Sequence, residues 1–154
     1  MDDVKQIDRP AAADYDTDFY AWALDQAARI RALAVRGLDV ENVAEEIESL
    51  GRSDRRELFS RSRVLLLHLL KWQFQPERRG VSWITTIREQ RFQIEIVLSE
   101  SPSLRRMLPE IIVKSYRYAV EQAALETNLD MAVFLKSCPW MPGQIIDKDW
   151  MPAD

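Results

Sequence analysis

The chain has 154 residues, a formal net charge of −4, 47% hydrophobic and 30% charged side chains, the make-up of one ordinary globular domain. No apolar run nears the roughly 20 residues of a membrane span, and the start, Met-Asp-Asp-Val-Lys, lacks the apolar core of a secretion signal. A single cysteine, Cys138, excludes an internal disulfide and a cysteine-built zinc site within one chain, so a reducing, cytoplasmic setting is expected.

Residues 1–13 read as a loose tail with Pro10 and an alanine run. A first helix is predicted over 16–36. Asp14, Asp16 and Asp18 sit at its start, where the helix dipole favours negative charge. Its apolar face is Phe19, Tyr20, Ala23, Ala27, Ile30 and Leu33, and Gly37 is a natural stop. Asp39 then caps a long second helix over 40–74. Its stripe runs Val43, Ile47, Leu50, Asp54, Leu58, Arg61, Leu65, His68 and Trp72, in steps of three and four. Gly51 costs roughly 1 kcal/mol relative to alanine in mid-helix. The stripe keeps phase across it, so the helix is read through, with a break at Gly51–Ser53 as the alternative.

Gln75–Gly80 is a turn bounded by proline and glycine. Ser82 is the expected cap of a third helix over 82–99, with Ile84, Ile87, Arg91, Ile94 and Leu98 as its stripe. The short turn makes helices two and three antiparallel neighbours. Ser101-Pro102-Ser103 opens a short helical turn. Pro109 suits the first position of a fourth helix over 109–127, with Ile112, Tyr116, Ala119, Ala123 and Glu126 on one face and Asn128 at its end. A further short helix is expected over 130–136. The proline-rich tail then wraps the bundle, because Trp140, Ile145, Ile146 and Trp150 need cover. The fold class expected is therefore all-α: about four main helices, a short C-terminal helix and a Trp-rich tail.

Charge is segregated along the chain. Residues 1–51 carry −7, residues 52–117 carry +7 and residues 118–154 carry −4. Either the segments neutralise one another in the fold, or they present a basic surface to an anionic partner.

Candidate sites follow from charges in core-like positions. Asp54, Arg61 and His68 lie seven residues apart in the stripe of helix two, and Arg91 lies in that of helix three. Burying them is costly unless they are paired. Together with Glu46, Glu57, Arg88 and Glu95 they form either a buried network that fixes helix register or a polar cleft between helices two and three. Such a cleft would bind an anion or small metabolite. His68 is the sole histidine. Asp54 lies about 21 Å along the same helix and cannot orient it as a base. Glu45 and Glu48 share a face, as in the Glu-x-x-Glu of all-helical metal-dependent pyrophosphohydrolases. No second, well-spaced acidic pair (Glu89 and Glu95, or Glu121 and Glu126) completes a magnesium site. No Gly-x-Ser-x-Gly elbow or phosphate-cradling glycine loop occurs, and Cys138 has no histidine near it in sequence. Arg52, Arg55, Arg56, Arg61 and Arg63 make a basic run near Phe59. Acidic residues interleave and no helix-turn-helix follows, so nucleic-acid binding is the weaker reading of that face.

Several blocks of the chain resemble one family. They are Asp18–Trp22, Leu38–Gly51, His68–Trp72, Ser82–Ile87, Ser101–Leu104 and Cys138–Trp140. Over roughly residues 14–152 the chain looks like the bacterial family catalogued as domain of unknown function 29. The resemblance implies an all-helical fold and supplies no activity, cofactor or catalytic residue. Leu135 departs from the proline the family more usually carries before the Cys-Pro segment. Neither a cofactor nor a metal is expected. The leading expectation is a non-enzymatic interaction module that self-associates or pairs with a protein partner, away from membranes. A small-molecule or nucleotide-binding enzyme using Glu46, His68, Arg88 and Arg91 is the alternative.

Overall fold

The computed structural model describes residues 13–154, so the expected N-terminal tail lies, but for Ala13, outside the described residues. Five α-helices follow in order: α1 Phe19–Arg31, α2 Val40–Phe74, α3 Val81–Glu100, α4 Leu108–Thr127 and α5 Pro142–Ile146. Short 3-10 turns occupy Pro76–Arg78, Pro102–Met107 and Met131–Val133, and no described residue forms a strand. None of the described helices is long and apolar enough to cross a membrane.

Local chemistry explains most boundaries. Asp18 caps α1 by accepting from the Ala21 amide at 3.0 Å, and Asp39 caps α2 by accepting from the Asn42 amide at 3.2 Å. Asn128 ends α4 in the left-handed region, φ 56°, which asparagine tolerates well. Three expectations need correction. First, α1 ends at Arg31, well before Gly37. Second, α3 starts at Val81, with Gly80 at its N-cap position and no side-chain cap. Ser82 lies inside that helix, and its carbonyl accepts from the Thr86 hydroxyl at 3.1 Å. Third, the segment 130–136 makes only a 3-10 turn, and the short C-terminal helix starts instead at Pro142.

The long helix α2 is the spine. Its C-terminal half packs α3 on one side and α4 on another, around Leu58, Leu65, Leu66, Leu69, Ile87, Ile94, Leu98, Ile112 and Ala119. Helices α2 and α3 are antiparallel, joined by the Gln75–Gly80 turn. Helices α2 and α4 run parallel: Arg55 pairs with Glu110 at one end, and Lys71 with Glu126 at the other.

The N-terminal half of α2 packs on α1, through small residues. Ala23, Ala27 and Ala44 are fully buried. A Cβ on Gly51 would lie 3.0 Å from the Ala23 Cβ and 3.5 Å from the Tyr20 carbonyl oxygen. The glycine that weakens the helix locally is what lets two backbones approach. Its cost in helix propensity is offset by this close packing. The buried face of α2 is thus built of Ala44, Gly51, Leu58, Ser62, Leu65, Leu66, Leu67, Leu69 and Leu70. It is turned roughly a quarter turn from the stripe read in the sequence, taking 3.6 residues per turn. Val43 and Leu50, expected in the core, are 37% and 57% exposed.

A polar clamp ties the start of α1, the middle of α2 and the end of α3. The Ser101 hydroxyl is fully buried; it accepts from the Tyr20 amide at 3.0 Å and donates to the Asp54 carboxylate at 2.7 Å. The Tyr20 amide belongs to the first turn of α1, where it has no partner within the helix. Two residues on, the Ser103 amide and hydroxyl both donate to the Asp18 carboxylate, at 2.7 and 2.9 Å.

Two substitutions test this packing. Gly51→Leu should lower the denaturant midpoint by about 1–3 kcal/mol of stability, because the added side chain meets α1 at its closest approach. An unchanged midpoint would mean the two helices do not cross there. Ser101→Ala should also cost about 1–3 kcal/mol by leaving the Tyr20 amide without a partner. Urea titration followed by circular dichroism measures both.

Candidate functional site

The eight charged residues singled out in the sequence do not converge on one cleft between α2 and α3. Arg88 and Arg91 do not face the middle of α2. The side of α3 that meets α2 is apolar, built on Ile87, Ile94 and Leu98. The eight residues separate into five environments.

Asp54 belongs to the clamp described above. Glu57 and Arg61 form a surface pair on one face of α2, 3.3 Å apart and roughly a third to two-fifths exposed. Such a pair contributes little to stability. Glu46 is exposed on the N-terminal half of α2. His68 is half-buried. Its Nδ1 lies 2.9 Å from the Val64 carbonyl oxygen, so Nδ1 carries the proton and donates to it. Burial is the main cause that holds the imidazole below its ordinary value of 6.5, and the charge of Lys71 adds to it. The backbone bond to Val64 and the Glu126 carboxylate act the other way. His68 thus has a carbonyl partner where a general base would have an orienting carboxylate.

Arg88, Arg91 and Glu95 lie on the side of α3 that faces the C-terminal segment. Arg91 is 4% exposed, as its place in the apolar stripe predicts. Its Nε donates to the Ile145 carbonyl at 2.9 Å, so the last turn of α5 sits directly against it. Two adjoining cavities, about 380 and 230 Å³, open along this seam. Both are lined by Arg88, Arg91, Lys148 and Asp149. Sequence reasoning missed Lys148 and Asp149, because nothing in their local pattern says that the tail returns over α3. The apolar residues Trp140, Ile145 and Trp150 were the available signal that it folds back.

The acidic run of α2 is held by cations. Arg31 of α1 reaches Glu41 at 3.0 Å, Glu45 at 3.4 Å and Glu48 at 2.8 Å. Arg52 also pairs with Glu45 and Glu48. Among the described residues no three His, Cys, Asp or Glu side chains converge in a metal-binding arrangement. In the basic run, Arg52, Arg55 and Arg61 are each engaged with a carboxylate. Cys138 is half-buried, and burial pushes its thiol above its ordinary value; this leaves little thiolate for nucleophilic attack. The Tyr116 hydroxyl donates to the Leu135 carbonyl at 2.9 Å, and burial raises its pKa to about 12.

A second surface feature lies at the other end of α2. The Ser101–Asp54 and Arg55–Glu110 contacts show that α3 ends and α4 begins level with residues 54–55 of α2. Residues 40–53, about 21 Å of helix at 1.5 Å per residue, therefore project beyond both with α1 alongside. On this projecting half Val43 and Leu50 are exposed, and Ile47, on the same side by helical periodicity, is partly buried. Neither α3 nor α4 extends over this part of α2. Leu33, Val35 and Leu38, in the connection between α1 and α2, are exposed at the same tip.

This architecture, an all-helical bundle built on one long helix with a projecting hairpin, defines the class. The family model described as "Domain of unknown function DUF29" matches residues 15–151, and the chain belongs to that family. Among solved structures, the chain is similar to an alpha-helical protein of unknown function from Rhodospirillum rubrum. The identity is 26%, 90% of this chain and 92% of that chain are covered, and the TM-score is 0.73. A search of the curated proteins finds no match.

The His68 environment has a pH consequence. A folded-state value below the unfolded 6.5 means that, on acidification, the unfolded chain takes up this proton first. Stability from this group is complete above the unfolded value and falls as the pH drops below it toward the folded value. His68→Gln should flatten that part of the stability profile between pH 7 and 5. Wild-type and variant profiles that stay parallel would contradict it.

Proposed function

We propose that the protein is a helical interaction module, and that its docking face is the bare strip Val43, Ile47 and Leu50 on the projecting half of α2. The observation that carries this reading is the exposure of Leu50 and Val43, 57% and 37%, on the half of α2 that projects beyond the end of α3 and the start of α4. An apolar helical strip with spacings of four and three suits a second helix laid along it.

Charge selects the kind of helix. Residues 39–51 hold five acidic side chains (Asp39, Glu41, Glu45, Glu46 and Glu48) and no basic one. Arg31 and Arg52 engage Glu41, Glu45 and Glu48, while Asp39 and Glu46 flank the strip at the surface. The partner that fits is an amphipathic helix whose apolar face is bordered by lysine or arginine. Two copies joined strip to strip would bring these acids together, which disfavours a symmetric pair.

The test is fluorescence anisotropy of a labelled synthetic helical peptide with a leucine stripe flanked by lysines. The wild-type chain should bind it saturably, and more weakly as salt rises. Leu50→Glu should abolish binding while leaving stability within about 0.5 kcal/mol, as expected of an exposed position. Equal binding by wild type and Leu50→Glu, or no binding by either, would overturn the proposal.

A further inference from the structure

Arg91 is the one described arginine that is buried in the strict sense, and its bonding is incomplete. Nε is taken by the Ile145 carbonyl. Nη2 is buried and has no hydrogen-bond partner. Among the described residues no carboxylate lies within ion-pair distance of the guanidinium. Asp147 and Asp149 act on it only from further away, and burial works against its charge. A guanidinium taken out of water is costly unless its charge and donors are answered. Elsewhere among the described residues the partly buried Arg79 does find a carboxylate, that of Asp154.

The surroundings of Arg91 are shaped to receive something. The cavities on this seam share Arg88, Arg91 and Lys148 against a single shared carboxylate, Asp149, and Lys148 already holds that carboxylate at 2.7 Å. The smaller cavity adds no acid and is walled by Trp72, Ile84, Ile87 and Met151. The larger adds Phe92, Ile146 and Glu95. The chemistry is cationic at one end and apolar along the walls.

We infer that the seam between α3 and the C-terminal segment is a binding site for a small organic carboxylate, with its anionic end on Arg91 and Arg88 and its apolar body against Trp72, Ile84 and Met151. A planar guanidinium with free Nη donors matches a carboxylate in geometry as well as charge. The apolar walls favour an acid with an aromatic or branched body over a bare inorganic anion. This site is separate from the bare strip on α2 and does not depend on it.

The probes are phenylacetate, which has both the head and an apolar body, and inorganic phosphate, which has a head only. Isothermal titration calorimetry of the full chain should give saturable binding of phenylacetate, with phosphate clearly weaker. Arg88 is exposed, so Arg88→Gln leaves the Arg91–Ile145 bond in place; it should weaken phenylacetate by about tenfold, the loss of one charge-assisted contact. Arg91→Gln should abolish binding. If that variant loses the packing of the C-terminal segment, Arg88→Gln still decides. Saturable phenylacetate binding with Arg88→Gln unchanged would put the ligand elsewhere and overturn the assignment. Phosphate bound as tightly as phenylacetate would overturn the organic part. No saturable binding of either probe, with an ordered water on Nη2 in a crystal structure, would leave Arg91 a purely structural residue and overturn the proposal whole.

Discussion

The Ser101 hydroxyl is the joint on which the rest of this structure depends. It answers an amide that the first turn of α1 cannot satisfy internally, and it donates to Asp54 from the neighbouring helix. One buried oxygen therefore fixes where α1 begins, which turn of α2 lies opposite, and where α3 stops. Asp18 repeats the device two residues later with Ser103. Because α3 stops level with Asp54, the preceding turns of α2 stand clear of α3 and α4, with α1 as the long helix beside them among the described residues. The bare strip is a direct result of that geometry.

Much of the fold was legible in the sequence. The span 40–74 of α2, its continuity through Gly51, the cap at Asp39 and the end of α4 at Asn128 all follow from caps, period and turn chemistry. The rotation of α2 was not legible. Val43 and Leu50 drew the stripe toward themselves because hydrophobicity normally marks the buried face. Here the buried face of the N-terminal half is marked by small residues instead, Ala44 and Gly51 against Ala23 and Ala27. That signal is present in the sequence, yet it acquires meaning only when two such helices are set against each other.

The candidate site was legible in part. Arg91 stands in an otherwise apolar stripe, and that alone places it in the core. What answers it could not be read locally. The expectation of a facing charge on α2 assumed that adjacent antiparallel helices share all their polar residues. In the structure the partner is a backbone carbonyl some 54 residues further on, from a segment whose return is driven by Trp140, Ile145 and Trp150. His68 and Arg61, similarly placed by period on α2, sit at the edge of the packed face because of the same quarter-turn rotation. The two features that remain, a projecting apolar strip with acidic flanks and a cationic seam at α3, occupy different ends of the molecule. The proposed partner helix and the proposed organic anion would therefore not compete for the same residues.

Amide hydrogen exchange along α2 tests most directly whether its N-terminal half stands bare and serves as the docking face. In the free protein, amides of residues 40–51 should exchange faster than those of residues 58–70, since only α1 covers the former. Adding the lysine-flanked helical peptide should slow exchange over Val43–Leu50 and leave residues 58–70 unchanged. Uniform protection along the whole of α2 in the free protein, or no gain over Val43–Leu50 with the peptide, would contradict it.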